Sequence, residues 1–136
     1  MVTSSAVVAA VRTVLLIDDE PDIRRIGELS LARVGGLTVH LASSGQEGVD
    51  AAARVQPDVI LLDMMMPEMD GRATLAALKA RADTAAIPVV FMTAKAQRQE
   101  VELFRALGAA GVITKPFDPM TLPAKVREIV AAGASR

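Results

Sequence analysis

The chain has no cysteine, which excludes disulfides, thiol chemistry and zinc-thiolate sites together. It has one histidine, His40, which reads as a structural strand residue and not as a phosphate carrier. Charge of either sign is not in surplus. Fifteen basic and 16 acidic residues leave a formal charge of −1, so no electrostatic case exists for nucleic acid or an anionic membrane surface. An apolar run of spanning length is missing too. Val7-Val8-Ala9-Ala10-Val11 lacks a basic leader and is far shorter than the roughly 20 apolar residues a transmembrane helix needs. There are no internal repeats, low-complexity segments or linkers, and nothing suggests a second domain. What is present is a chain of 136 residues, 51% hydrophobic, which is long enough to bury a core and too apolar for disorder. Residues 1–12 read as a flexible N-terminal tail, 13–131 as the domain and 132–136 as a C-terminal tail. A soluble, cytoplasmic protein is the expectation.

Five short apolar runs punctuate the chain. Thr13 to Ile17 is predicted as the first strand, stopped by Asp18-Asp19-Glu20-Pro21, where Pro suits the first turn of a helix and acids suit its N-terminus. Ile23, Ile26, Leu29, Ser30 and Val34 recur at helical spacing until Gly35-Gly36. Leu37 to Ala42 is a second strand. Ser43-Ser44-Gly45 offers a cap, with helix over Gly48 to Val55 ended by Pro57. Val59 to Leu62 is the third strand, and after Gly71 a helix runs to about Arg81 with Leu75 and Leu78 inward. Ile87-Pro88 opens the fourth strand, Val89 to Met92. Ala96 to Leu107 is a helix with Val101, Phe104 and Leu107 on its apolar side, stopped by Gly108. Gly111 to Thr114 is the fifth strand, and Leu122 to Val130 the last helix, with Val126 and Ile129 inward. Continuous hydrophobicity in strands that alternate with helices predicts an α/β fold: a five-stranded parallel sheet flanked by five helices.

Right-handed crossovers bring the carboxyl ends of all five strands to one edge, where open α/β sheets bind ligands. Asp18, Asp19, Asp63, Thr93 and Lys115 stand at or just after those ends. Each has a plain reading alone: Asp18-Asp19 an acidic helix start, Asp63 a strand end and turn, Lys115-Pro116 a basic residue before a turn whose peptide is cis or trans. Together they call for a common explanation. Three carboxylates repel, and compensation comes from Lys115 and from a hard divalent cation, with oxygen-only ligands favouring Mg2+. A carboxylate nucleophile at Asp63, charge neutralisation by Lys115 and a hydroxyl at Thr93 suit phosphoryl transfer.

Asp18-Asp19, Asp63-Met64-Met65-Met66-Pro67 with Gly71, Thr93-Ala94 and Lys115-Pro116-Phe117 resemble the receiver domain of two-component response regulators, over Thr13 to about Ala131. The resemblance implies a flavodoxin-like sheet of order 2-1-3-4-5 and a phosphoryl group passed to Asp63 from a phosphohistidine of a sensor histidine kinase or phosphotransfer protein. It implies that Asp19, Asp63 and the Met65 carbonyl contact Mg2+, with Asp18 acting through water. Thr93 is the implied switch hydroxyl and Lys115 the phosphoryl contact, with Ala94 and Pro116 beside them in their motifs. The implied output is protein binding through the fourth helix, fifth strand and last helix, with the kinase meeting the first helix near Ile23, Arg24 and Gly27. The protein is expected to be a stand-alone switch, a monomer or weak homodimer, with no enzyme activity beyond assisting its own phosphorylation and dephosphorylation.

Three positions stand out against the family pattern. Val112 replaces the usual Tyr, Phe or His three residues before the lysine, so the aromatic part of the relay is missing. Met65 and Lys95, each two residues beyond a site residue, flank the phosphoryl group. Apolar Met65 gives no help to an attacking water and Lys95 adds positive charge, so slow self-dephosphorylation is expected. An aspartyl phosphatase of the haloacid-dehalogenase kind needs an Asp where Met65 stands. A flavodoxin-like binder needs a Ser-, Thr- or Gly-rich loop where this chain has Asp18-Asp19-Glu20-Pro21. A constitutive scaffold has no need of intact Asp63, Thr93 and Lys115.

Overall fold

The computed structural model describes residues 10–134, so most of the expected N-terminal tail and the last two residues lie outside the described part. The elements run β1 (Thr13–Ile17), α1 (Pro21–Leu29) continued by a π-helical turn (Ser30–Val34), β2 (Thr38–Ala42), α2 (Gly45–Val55), β3 (Val59–Asp63), α3 (Gly71–Lys79), β4 (Val89–Thr93), α4 (Arg98–Ala106), β5 (Gly111–Thr114) and α5 (Leu122–Ala134). The strands form one sheet in the order β2-β1-β3-β4-β5, every pair parallel. This is the flavodoxin-like topology, flanked by five helices.

Side-chain alternation along each strand divides the interior in two. Leu15, Ile17, Ile60, Leu62, Val89 and Phe91 point to one side, where Val49, Leu75, Leu78 and Phe104 of α2, α3 and α4 cover them. Val14, Leu16, Leu61, Val90 and Met92 point to the other, beneath Leu31, Leu122 and Val126 of the π-turn and α5. Both faces of the central strands β1, β3 and β4 are therefore buried, which is why these read as continuous apolar runs, while β2 at the edge is buried only at Ala42. Val11 is buried in the second layer, and the Arg12 and Thr13 amides both donate to Asp58 Oδ2 at 2.9 Å. Among the described residues no helix is long and apolar enough to cross a membrane.

The first helix departs from the expected stripe. Gly27, Ser30 and Leu31 face the sheet, while Ile26, Leu29 and Val34 are 43–46% exposed. Ile26 and Leu29 lie in the regular helix on the face away from buried Gly27, and Val34 ends a π-turn in which the Gly35 amide bonds back five residues to the Ser30 carbonyl. The wider turn takes residue 34 out of phase with a 3.6-residue period. In α4 the inward residue is Phe104, and Leu107, beyond the helix end, is 44% exposed. Ser44 caps α2 by accepting from the Glu47 amide at 3.1 Å, so that helix starts at Gly45, not Gly48. Leu75, Leu78 and Val126 are buried, and Ile129 is partly so, as their periodicity predicts.

Candidate functional site: an acidic pocket at the carboxyl edge of the sheet

Strand register sets the site. Ile17 lies beside Leu62 in the β1–β3 pair and Asp63 beside Met92 in the β3–β4 pair, so residues 18, 63 and 93 come out along one edge. Asp18 is fully buried and held by four bonds. Its amide donates to the Ala42 carbonyl at 3.1 Å. Its Oδ1 accepts from the Glu20 amide at 2.9 Å, and its Oδ2 from Lys115 Nζ at 2.9 Å. Its carbonyl accepts from the Arg24 guanidinium at 2.8 Å. Asp19, half-buried, takes no hydrogen bond on its carboxylate from the described residues. Asp63 is 3% exposed. Its Oδ1 accepts from Lys115 Nζ at 3.0 Å and, at 3.4 Å, from the Met65 amide. Its Oδ2 is buried and has no donor.

Asp18, Asp19 and Asp63 each offer a carboxylate oxygen within 4.8 Å of the others. Burial pushes the Asp63 carboxyl above its ordinary value, and the Asp18 charge adds to this, while the Lys115 hydrogen bond and charge oppose it. Burial works against the Lys115 ammonium, but its hydrogen bonds and attraction to Asp18 and Asp63 win, and it is raised. One lysine therefore bridges two buried carboxylates and leaves a third beside them. The donor set is oxygen only, and with an orphaned buried oxygen in its midst it suits a hard cation.

The remaining residues frame this cluster. Thr93 is buried at the end of β4, where its hydroxyl accepts from the Lys95 amide at 3.1 Å and its carbonyl from the Lys115 amide at 2.8 Å. The Lys115–Pro116 peptide is cis. Lys115 reaches the acids, whereas the Thr93 hydroxyl makes no bond to Asp63 or Lys115. Met65 is 78% exposed, and Ala94, Lys95 and Pro116 are exposed as well. Val112 lies opposite Phe91 in the β4–β5 pair and packs against the layer that holds the Phe91–Phe104 ring pair. Gly71 admits no side chain: a Cβ there would stand 2.8 Å from the Asp63 carbonyl oxygen and from Met64 Cα. The contact between Arg24 and the Asp18 carbonyl was not foreseen. An arginine one turn into an acid-led helix is the signal that could have found it.

Fold and pocket together define an α/β module that carries a lysine-bridged acidic cluster at the carboxyl edge of a doubly wound sheet. The chain belongs to the response regulator receiver domain family, whose model matches residues 14–127. It therefore carries the phosphoacceptor signalling module of two-component phosphorelays, a class served by histidine kinases and phosphotransfer proteins. It is 37% identical over 117 residues to the DNA-binding dual master transcriptional regulator RpaA of Synechocystis, covering 86% of this chain and 48% of that one. A probable transcriptional regulator, ycf27, of Porphyridium aerugineum is 35% identical over 117 residues, covering 86% and 47%. The chain thus spans about half the length of the curated relatives it matches. Among solved structures, the Vibrio cholerae chemotaxis protein CheY4 superposes with a TM-score of 0.80 at 29% identity, covering 88% of this chain and 99% of that one. The N-terminal domain of a response regulator receiver protein from Methanoculleus marisnigri gives 0.71 at 34% identity, covering 91% and 97%.

Proposed function

We propose that Asp63 is the phosphoacceptor, taking the phosphoryl group from a phosphohistidine of a sensor histidine kinase or phosphotransfer protein. Mg2+ would be held by Asp19, Asp63 and the Met65 carbonyl, with Asp18 acting through water. The observation that carries this reading is the Asp63 Oδ2 atom, buried without a donor inside an acidic cluster that a lysine bridges. An Asp63 carboxylate oxygen attacks phosphorus as the phosphorus–nitrogen bond breaks, and the leaving nitrogen keeps the electron pair. Bound Mg2+ supplies charge neutralisation at the phosphoryl oxygens. Lys115 adds its own charge there. The Thr93 hydroxyl already accepts from the Lys95 amide, so its proton is free to donate to a phosphoryl oxygen.

The site is read as working within a domain of residues 13–131, in a cytoplasmic protein that is a monomer or weak homodimer. The downstream protein target binds the face of α4, β5 and α5, and the kinase meets α1 near Ile23, Arg24 and Gly27, of which Gly27 is itself buried against Leu16. With Val112 in place of a ring, movement of Thr93 has no aromatic to carry it, and the readout on that face is weaker. Ala94 and Pro116 shape the two loops that adjust when the hydroxyl and Lys115 engage the phosphoryl group. Exposed apolar Met65 and the Lys95 charge favour a long-lived phosphoryl group.

Intact mass after incubation with a small acyl phosphate tests this. One added phosphoryl group that requires both Mg2+ and Asp63, and is lost in Asp63→Asn, is expected. No adduct, with fast hydrolysis excluded, would assign the chain to an unphosphorylated scaffold. Met65→Asn is expected to shorten the phosphoryl lifetime. A lifetime of seconds that this substitution leaves unchanged would remove the slow-hydrolysis reading.

A further inference from the structure

Among the described residues Asp19 is the one member of the acidic cluster whose carboxylate no protein donor holds, so its aim depends on its backbone. The peptide that joins it to Asp18 is planar, and the carbonyl of that peptide accepts from the Arg24 guanidinium at 2.8 Å. The loop is fastened upstream by the Asp18 Oδ1 bond to the Glu20 amide at 2.9 Å, while the helix start itself has no side-chain cap. Glu20, at the N-cap of α1, makes no side-chain capping bond, and Pro21 brings no amide proton. Arg24 is rooted in the helix by its own amide, which bonds to the Glu20 carbonyl at 3.1 Å, and its side chain turns back over the loop to reach residue 18. A charge-assisted bond of this length restrains the plane of the 18–19 peptide, from which the Asp19 Cα projects.

We propose that Arg24 is a positioning residue of the acidic pocket: it holds the Asp18–Asp19 peptide so that the Asp19 carboxylate faces Asp63, and thereby sets Mg2+ affinity. The inference rests on the reading of the cluster as a Mg2+ site, and it moves Arg24 from the kinase-facing surface to the chemistry of the pocket. The sign of the effect separates it from simple electrostatics. A guanidinium near a cation site repels the cation, so loss of its charge alone would tighten Mg2+ binding. Loss of a positioning bond weakens it, and partners of metal ligands are typically worth tenfold or more in affinity.

Calorimetric titration of the full chain with MgCl2 decides the matter, using wild type, Arg24→Ala, Arg24→Lys and the exposed neighbour variant Arg25→Ala. The expected result is binding about tenfold weaker in Arg24→Ala, partly restored in Arg24→Lys, and not weakened in Arg25→Ala. Phosphorylation by acetyl phosphate, which needs no kinase docking, should require correspondingly more Mg2+ in Arg24→Ala yet approach the wild-type rate at saturation. Arg24→Gln, with an uncharged donor on a shorter stem, should also bind more weakly and carries the test if the alanine variant does not fold. Unchanged or tighter Mg2+ binding in Arg24→Ala would overturn the inference, as would a defect confined to transfer from a kinase. Absence of Mg2+ binding by the wild type would instead overturn the metal reading on which the inference stands.

Discussion

Asp63 sits in a pocket that works against its own charge. Its carboxyl is raised above the ordinary value of 3.8 by burial first and by Asp18 second, with Lys115 opposing. An acid whose folded value is raised binds more protons folded than unfolded between the two values. Stability therefore falls as pH rises through that window, and the cost is fully present above it. Asp63→Asn removes the charge while keeping an oxygen for Lys115. In metal-free buffer it is expected to raise Tm by a few degrees at pH 7, with the advantage over wild type shrinking as pH falls toward 3.8. Thermal unfolding across that range checks it, and an advantage that does not change with pH would count against burial of charge as the cause. Lys115 runs the opposite way: its raised value adds stability that is present below 10.5 and is lost as pH rises through its folded value. Much of this site was legible from residue type at strand ends, since Asp18, Asp63 and Lys115 do meet. The Thr93 hydroxyl bond to the Lys95 amide, and the role of Arg24 at the Asp18 carbonyl, were not, because both depend on where a loop folds back.

Among the elements, α4 hangs on one anchor. Phe104 is its buried residue, set 5.0 Å from the Phe91 ring and capped by the Arg72 guanidinium at 5.8 Å. Nine residues are too few for a helix to persist alone in water, and Gln97 supplies no side-chain cap. Phe104→Ala is expected to cost about 3–5 kcal/mol, measured by denaturant titration. Hydrogen exchange in α4 should accelerate well before that of the β3 amides, which lie in a fully buried strand. Equal acceleration in both elements would mean that α4 is not an independent unit. The first helix shows where apolar periodicity misjudged a face: its buried positions include Gly27 and Ser30, which carry no apolar signal, and a π-turn then takes Val34 out of phase.

At the scale of the whole molecule, a cation taken up by the acidic pocket would couple folding to ligand. A cation that binds the folded pocket and not the open chain stabilises by mass action, about 2.7 kcal/mol at roughly one hundred times its dissociation constant. MgCl2 is therefore expected to raise Tm, NaCl at matched ionic strength to do so much less, and a chelator to reverse the gain. Asp63→Asn should lose most of the Mg2+ response, since one of the three clustered carboxylates is gone. An equal response to both salts would point to screening of surface charge instead.

By itself the sequence determined the five strands, the parallel α/β class, the edge at which the site would form and the residues to be found there. Those follow from local apolar runs and from the chirality of crossovers, which need no distances. The tertiary structure alone decided which atoms meet. Lys115 divides its hydrogen bonds between Asp18 and Asp63, one oxygen of Asp63 is left without a donor, and Arg24 reaches the peptide that aims Asp19. Lys115 lies 97 residues from Asp18 and 52 from Asp63 in the chain, so only the packed sheet brings them to hydrogen-bonding distance.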